Sequence, residues 1–534
     1  MSNLTLEEKV GQIFMFGYPG KDPEPARELV QDLKAGGIIY FARNTGTVEE
    51  VAEVSSILQR WAAERGAAIP LFISADQEGG IVARLTEGLP VMPGPMSLAA
   101  ADGPDLVEEV SRATATQLRA AGINMNLAPV LDVNDNPDNP VIGVRSFGED
   151  PERVASLGCA AVRGLLSGGV VPVGKHFPGH GNTSVDSHLD LPLLPHPRER
   201  LDRVELVPFR AAVSAGIPAI MSAHVVFQAI DPSQPATLSA PVLRGLLREE
   251  FGFNGIIMTD CLEMNAIAKY PGTVRGAVLA FKAGCDMLLI SHTRDLQKRA
   301  YEAVLEAVRS GEITEERLEE SVQRILALKR TMNLPNPLSP EMARLPELEE
   351  LSKRAHLGSI TLVRNRDNRV PLTSGAILII STKPRKVLQV EDAPLPGTPA
   401  AGVSTWQEIP KTFLGLSLKK HLPSLSVREI FMEEPGALEK AFSWSRDSHA
   451  TIILTQNANR SPEQAGFVRA FISQDPGAIL VATRDPYDIE LVPDIGTYIC
   501  TYSPRPEAME ALAQVLLGRH IPMGRLPVTI PALK

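Results

Sequence analysis

The chain has 534 residues, more than one hydrophobic core usually organises, so two domains are expected. Apolar residues make up 44% and charged residues 22%, proportions typical of a folded globular protein and not of a disordered one. A net charge of -10 argues against nucleic acid or an anionic membrane as the main partner, because both need a basic surface.

The cysteines and the first residues indicate the compartment. The four cysteines lie far apart without CxxC spacing, so we expect free thiols, mostly buried, in a reducing environment. The first twenty residues carry acidic side chains and one short apolar run, which is not the pattern of a signal peptide. No apolar run reaches the roughly 18 residues that cross a bilayer. The sequence therefore predicts a cytoplasmic protein without a membrane partner.

Short apolar runs alternate with amphipathic stretches of helical length over the first 291 residues. There are eight such runs: Ile13 to Gly17, Gly37 to Phe41, Leu71 to Asp76, Asn124 to Val133, Val170 to His176, Ala219 to His224, Gly255 to Asp260 and Met287 to Ser291. Eight strands that are each followed by a helix predict a TIM (β/α)8 barrel.

Capping residues support the helices of this barrel. A proline follows a capping-type residue at Asp150-Pro151 and at Ser239-Ala240-Pro241, and each pattern predicts a helix start. Two more helical stretches follow the eighth strand, from Leu296 to Arg309 and from Thr314 to Arg330. The barrel domain is therefore expected to cover residues 1–331.

A smaller domain is expected after the barrel. Residues 332–346 contain four prolines and are interpreted as a linker. In residues 347–534 the alternation resumes, and we expect a three-layer α/β/α sandwich around one sheet. Five runs are interpreted as parallel strands of that sheet: Ile360 to Val363, Ala376 to Ile380, Ala450 to Leu454, Ala478 to Ala482 and Tyr498 to Tyr502.

One segment concentrates titratable side chains. Residues 175–188 contain one lysine, three histidines and one aspartate among glycines and a proline. Five of the ten histidines of the chain fall between His176 and His224. We expect proton transfer or ligand binding there, although a loop held by its own polar contacts is the alternative.

Polar residues also end four predicted strands. Asp76 ends the third, Lys175 and His176 the fifth, His224 the sixth and Asp260 the seventh. In a TIM barrel these ends converge on the active site, so the joint placement favours function over isolated solvated charges. Asp260 is then placed as a nucleophile would be.

Asp186 and His188 lie two residues apart on the loop after the fifth strand. The Asp186 carboxylate is able to accept a hydrogen bond from one ring nitrogen of His188 and leave the other for proton transfer. A nucleophilic carboxylate with a separate proton carrier is the outline of a retaining glycosidase.

Four motifs resemble glycoside hydrolase family 3, and more narrowly its bacterial β-N-acetylglucosaminidase branch, which recycles cell-wall sugars. The motifs are Lys175-His176-Phe177-Pro178-Gly179-His180-Gly181 with Asp186-Ser187-His188, then Asp76-Gln77-Glu78-Gly79-Gly80, Arg145-Ser146-Phe147-Gly148-Glu149-Asp150-Pro151, and the tail Gly524-Arg525-Leu526-Pro527-Val528-Thr529-Ile530-Pro531. The first three span most of residues 5–330.

The resemblance implies roles for individual residues. It implies that Asp260 is the nucleophile, that His188 is the acid/base and that Asp186 orients His188. The positions that bind the non-reducing N-acetylglucosamine are matched by Asp76, Arg84, Arg145, Lys175 and His176. His224 is placed with the substrate-binding residues, either to contact the sugar or to orient Asp260.

No cofactor or metal is expected. His176 and His180 have i, i+4 spacing, but Pro178 and Gly179 between them forbid a regular helix, and the family uses no metal. His180 is interpreted as structural. Because the acid/base lies on the barrel, the second domain need not contribute catalytic groups.

The expected partner is a carbohydrate, an N-acetylglucosaminide of the peptidoglycan type. Two alternatives stay open. Phosphate could attack the intermediate in place of water, which would make the protein a phosphorylase, or the chain could be an inactive sugar-binding protein.

Overall fold

The computed structural model describes residues 4–372, 375–383 and 412–533. The first domain begins with a closed barrel of eight parallel strands in the order β1-β2-β3-β4-β5-β7-β9-β10. Its strands and the short pair β6 and β8 are β1 (Phe14–Phe16), β2 (Gly37–Tyr40), β3 (Phe72–Ala75), β4 (Met125–Asn126), β5 (Val171–Phe177), β6 (Leu193–Leu194), β7 (Ala219–Ser222), β8 (Val226–Phe227), β9 (Ile256–Cys261) and β10 (Met287–Ile290). The predicted TIM barrel is confirmed.

Helices surround this barrel, and their apolar faces complete its core. They are α1 (Leu6–Gln12), α2 (Arg27–Gln31), α3 (Val48–Ala63), α4 (Pro95–Ala101), α5 (Pro104–Ala120), α6 (Pro151–Ser167), α7 (Arg198–Arg203), α8 (Val207–Ser214), α9 (Asn265–Ala268), α10 (Thr273–Ala283), α11 (Arg294–Arg309) and α12 (Glu315–Thr331), with a π-helical stretch at Pro241–Glu250. Asp150 caps α6 by accepting from the Glu152 and Arg153 amides, as its pattern predicted, and Thr314 caps α12 by accepting from the Arg317 amide.

The second domain is a six-stranded mixed sheet between helices. Its elements are α13 (Pro346–Ser359), β11 (Thr361–Asn365), β12 (Ala376–Ser381), α14 (Phe413–His421), β13 (Ser426–Phe431), α15 (Ala437–Ser445), β14 (Ala450–Thr455), α16 (Pro462–Gln474), β15 (Ile479–Ala482), β16 (Thr497–Cys500) and α17 (Pro506–Leu516). The order is β11-β16-β15-β14-β12-β13. Separate apolar cores cover its two faces, with α15 and α16 on one and α14 and α17 on the other. The predicted three-layer sandwich is confirmed.

One prediction about this sheet was wrong, and one strand was not predicted. The run at Ile360 to Val363 was expected to be parallel, but β11 pairs with β16 in antiparallel register, Leu362 opposite Ile499. Strand β13 was missed altogether. It lies at the sheet edge and carries Arg428 and Glu429, so it lacks the continuous apolar run of a central strand.

The segment between the domains packs on the barrel. Arg119 Nε donates to the Asn336 carbonyl at 2.8 Å, and the Leu338 amide donates to the Arg119 carbonyl at 3.0 Å. Helix α13 then buries Leu348 and Leu351 in one apolar cluster with barrel-domain residues of α5 and α6.

All four cysteines are free thiols, and Cys159 and Cys261 are only partly buried. Among the described helices, none combines the length and apolar character of a membrane span.

Candidate active site

A cavity of about 550 Å³ opens where the barrel strands end at their carboxyl side. Seven of the nine predicted site residues line it: Asp76, Arg84, Arg145, Lys175, His176, His188 and Asp260. Asp186 and His224 stand behind the wall. All of its described lining residues come from the barrel domain, between Ile39 and His292.

Asp260 lies near the end of β9, whose first four residues are buried and whose last two are partly exposed. Its Oδ1 accepts from the Cys261 amide at 2.7 Å. Burial raises the pKa of Asp260, but the imidazoles of His224, His176 and His188 outweigh it and leave the pKa below its ordinary value. The carboxylate is therefore ionised at neutral pH.

His224 does not reach the cavity. Its Nδ1 lies 2.8 Å from Thr237 Oγ1 and its Nε2 lies 3.0 Å from the Cys261 carbonyl oxygen, and the residue is 1% exposed. Both ring nitrogens therefore have protein partners. Of the two expected roles, this arrangement favours the one in which His224 supports Asp260 from beneath the neighbouring backbone.

The loop after β5 carries Asp186 and His188. Asp186 Oδ1 accepts from the His188 amide at 2.9 Å and from His188 Nδ1 at 2.8 Å. The carboxylate side chain is 7% exposed and the imidazole 27%, so the ring reaches the cavity while its partner stays behind it. Burial raises the pKa of Asp186, but the hydrogen bond from His188 leaves it below the ordinary value. Since an ionised carboxylate only accepts, Nδ1 carries a hydrogen and Nε2 is left for proton transfer.

Five charged side chains form a buried network on the cavity wall. Lys175 Nζ lies 2.7 Å from both Asp76 Oδ1 and Glu78 Oε1. Arg145 binds Glu78 through two hydrogen bonds of 2.9 and 2.8 Å, and Arg84 Nη2 lies 3.4 Å from Asp76 Oδ2.

These contacts set the charge of the network. Burial raises the pKa values of Asp76 and Glu78, but the neighbouring cations lower both overall, and the two carboxylates keep the pKa of Lys175 above its ordinary value despite burial. Three cations thus face two carboxylates. Glu78 lies at the centre of the network and orients both Arg145 and Lys175.

Sequence reasoning missed Asp132. Its side chain is fully buried and accepts from His176 Nδ1 at 2.7 Å and from the His180 amide at 2.6 Å. The His180 ring contacts Thr183 Oγ1 and Ser187 Oγ, at 2.7 and 3.0 Å, and burial beside His176 lowers the pKa of His180 to about 4. Asp132 therefore fixes the His176 ring, and His180 ties the loop together, as its structural interpretation predicted.

One group of potential metal ligands lies on the cavity wall. Ligand atoms of Cys261, Glu263 and His292 fall within 4.8 Å of one another, the one such group among the described residues. Glu263 already accepts from three backbone amides, those of Ser291, His292 and Thr293. Its carboxylate therefore accepts hydrogen bonds from the backbone that leads into α11.

The cavity at the barrel mouth combines an ionised carboxylate at the end of β9 with a histidine held by an aspartate, the groups of an enzyme that couples nucleophilic attack to proton transfer. The family model described as "Glycosyl hydrolase family 3 N terminal domain" matches residues 5–328. The chain belongs to glycosyl hydrolase family 3 and is a glycoside hydrolase, as its motifs predicted.

Named relatives cover both domains. The chain is 30% identical over 593 aligned positions to the β-hexosaminidase A of Pseudoalteromonas piscicida, covering 99% of this chain and 97% of the relative. It is 28% identical to a β-N-acetylglucosaminidase/β-glucosidase of Cellulomonas fimi, covering 99% and 94%. The solved family 3 β-N-acetylglucosaminidase from Paenibacillus sp. str. FPU-7 is 42% identical, with a TM-score of 0.91 and 99% of each chain covered.

Proposed function

We propose that the protein is an exo-acting, retaining β-N-acetylglucosaminidase that removes terminal N-acetylglucosamine from peptidoglycan-derived fragments in the cytoplasm. The observation that carries this proposal is the pairing in one cavity of ionised Asp260 with a histidine that Asp186 holds through Nδ1. A carboxylate that stays ionised and an imidazole that exchanges protons suit the two roles of a retaining glycosidase.

The first step uses both groups. Asp260 attacks the anomeric carbon while His188 Nε2–H donates its proton to the glycosidic oxygen, and the bond to the leaving group breaks. In the second step neutral His188 takes a proton from water, which attacks the anomeric carbon and releases Asp260. Because the pKa of Asp186 is lowered, its carboxylate stays charged and stabilises the imidazolium before each proton donation.

The sugar is assigned to the wall formed by the charged network. Asp76 accepts from sugar hydroxyls, while Arg84, Arg145 and Lys175 donate to hydroxyls and to the N-acetyl carbonyl. A volume of about 550 Å³ is in the range of small-molecule pockets, which suits a terminal sugar. The names of the two relatives and of the Paenibacillus enzyme support an N-acetylglucosaminide as substrate.

The acidic character of a muropeptide fits another part of the wall. Arg43 and His292 line the cavity together with Cys261, which follows Asp260. Arg43 is held by the carbonyls of Tyr18 and Ser291, at 2.9 and 2.7 Å. A cationic side chain fixed in this way favours a leaving group that carries carboxylates.

A substrate screen tests the proposal. Aryl β-N-acetylglucosaminides should be hydrolysed far faster than the matching glucosides and xylosides, and the first product seen by NMR should be the β-anomer. A first product in the α form would exclude retention. Sugar 1-phosphate formed when phosphate is added would identify a phosphorylase instead.

Asp260→Ala tests the nucleophile. Turnover should be abolished with the Tm retained, because Asp260 is a partly open strand-end residue and packs no core. Azide, which fits the space left by the carboxylate, should restore turnover on activated substrates and yield the α-glycosyl azide. Mutant activity within about tenfold of wild type, or about 1.4 kcal/mol in barrier, would remove Asp260 from this role.

A further inference from the structure

The second domain contacts the cavity wall from behind through the loop that follows β15. Asp485 in this loop is 3% exposed. Its Oδ1 accepts from the Val144 amide of the barrel domain at 2.9 Å, and its Oδ2 is ion-paired with Arg460. The Asp485 amide donates to Asn457 Oδ1 at 3.0 Å, so the backbone of Asp485 is fixed within its own domain.

Gly143 makes this approach possible. It has a φ of +47°, and a Cβ built on it would lie 2.3 Å from Asp485 Oδ1. The carboxylate is therefore seated directly on the backbone of residues 143–144, where only glycine leaves room for it.

Arg460 extends the contact to Asn139. One guanidinium nitrogen of Arg460 donates to the Asn139 carbonyl while another pairs with Asp485. Asn139 Oδ1 in turn accepts from the Val141 and Ile142 amides, at 2.9 and 2.7 Å. The ion pair of the second domain thus holds both ends of the loop over residues 139–144, Arg460 at Asn139 and Asp485 at Val144.

Two parts of the active site begin at this loop. Arg145, next to Val144, lines the cavity and donates through Nη1 to the Val141 carbonyl at 3.0 Å. Asn139 Nδ2 donates to the carbonyls of His180 and Gly181, at 2.9 and 3.0 Å, at the start of the loop that leads to His188.

We propose that Asp485 and Arg460 are positioning residues of the second domain, which hold Arg145 and, through Asn139, the acid/base loop in their catalytic geometry. This inference rests on the proposed function for the roles of Arg145 and His188. A misplacement of about 1 Å in a binding group costs up to about 10²-fold in rate, and an unclamped loop permits such a shift.

The test measures kcat, KM and Tm for full-length variants on aryl N-acetylglucosaminides. Asp485→Asn keeps the shape and removes the charge, and Arg460→Ala removes both contacts of the guanidinium. Each should lower kcat/KM by about 10²-fold. Arg460→Lys, which keeps a cation, should recover part of the loss. If Asp485→Asn does not fold, the two Arg460 variants, Arg460→Ala and Arg460→Lys, still test the proposal.

A matched control separates positioning from general attachment of the domains. Thr529 donates to Glu149 across the same interface but away from the cavity wall. Thr529→Ala should leave kcat/KM within about twofold of wild type. An equal loss of kcat/KM in Thr529→Ala and Asp485→Asn would show that the Asp485 contact only attaches the domains, and it would overturn the proposal.

A double-mutant cycle gives a readout that structural support alone does not move. In an Arg145→Ala background the further effect of Asp485→Asn should shrink to a few-fold, because both changes act through Arg145. Full additivity, or single variants within about threefold of wild type, would refute positioning. If wild type hydrolyses a different glycoside, the proposed function fails, and the same variants measured on that glycoside still test the contact.

Discussion

His188→Ala gives the sharpest test of the proton carrier. In the proposed mechanism, removing the ring eliminates proton donation to the leaving oxygen, which is worth about 10²- to 10⁴-fold in rate for a poor leaving group. An activated phenol needs little such help in the first step. The ratio of mutant to wild-type kcat/KM should therefore fall steeply across aryl N-acetylglucosaminides as the pKa of the leaving phenol rises.

The structure also sets the size of the effect for Asp186. Its carboxylate accepts from His188 Nδ1 at 2.8 Å, a charge-assisted hydrogen bond worth about 1.5–3 kcal/mol, or about 10- to 150-fold in rate. Asp186→Asn should lose that much, with the same dependence on the leaving group but less severely than His188→Ala.

The assay needs a control on the same loop. Asp190 is exposed, and its carboxylate pairs with surface Lys269 and accepts from the Leu191 amide, so Asp190→Ala should leave the kcat/KM series unchanged. A flat ratio for His188→Ala across the series would show that the histidine binds substrate or supports the loop. The proton carrier would then have to be another group.

Three further predictions concern buried carboxylates. Asp132→Asn replaces the acceptor that faces His176 Nδ1, so kcat/KM should fall by about 10- to 150-fold; unchanged kinetics would refute this. Glu78→Gln leaves three cations against one carboxylate, so the free energy of unfolding measured in urea should fall by about 3–5 kcal/mol. An unchanged free energy of unfolding would contradict this prediction. Burial raises the pKa of Asp488 to about 6, so its contribution to stability is full below about pH 4 and lost as pH rises through 6. The stability of Asp488→Asn relative to wild type should therefore increase by about 2 kcal/mol from pH 4 to pH 7, and a difference that does not change with pH would contradict a raised pKa of Asp488.

The barrel and most of the cavity could be predicted because they follow from strand ends. Parallel strands are buried on both faces, so they are recognisable as apolar runs, and the polar residue that ends each run falls at the barrel mouth. Asp76, Lys175 and Asp260 were found in this way, and the cavity brings them together. Asp186 and His188 were found because their partnership is local in the chain.

Asp132 was not recognised as a site residue because its strand is irregular. The run was predicted as Asn124 to Val133, yet β4 covers only Met125–Asn126, and the chain continues through Pro129, which lacks an amide for the ladder. Asp132 thus lay inside an expected strand and not at its end. The isolated β-bridge between Val130 and Lys175 brings Asp132 beside the histidines. Such a bridge leaves no periodic pattern in the sequence.

The contact between the domains lies beyond pattern reasoning for a different reason. Val144 and Asp485 are 341 residues apart, and neither has a neighbour whose spacing reveals the other. Their chemistry is complementary only once both folds exist: a glycine at positive φ opens the backbone of one loop, and a buried aspartate that already pairs with an arginine fills the opening. The described residues that line the cavity all belong to the barrel domain, and the absence of catalytic groups from the second domain stays a prediction. The proposed role of Asp485 and Arg460 is to fix the backbone of residues that line the cavity, and contacts of this kind are found among the hydrogen bonds behind the cavity wall.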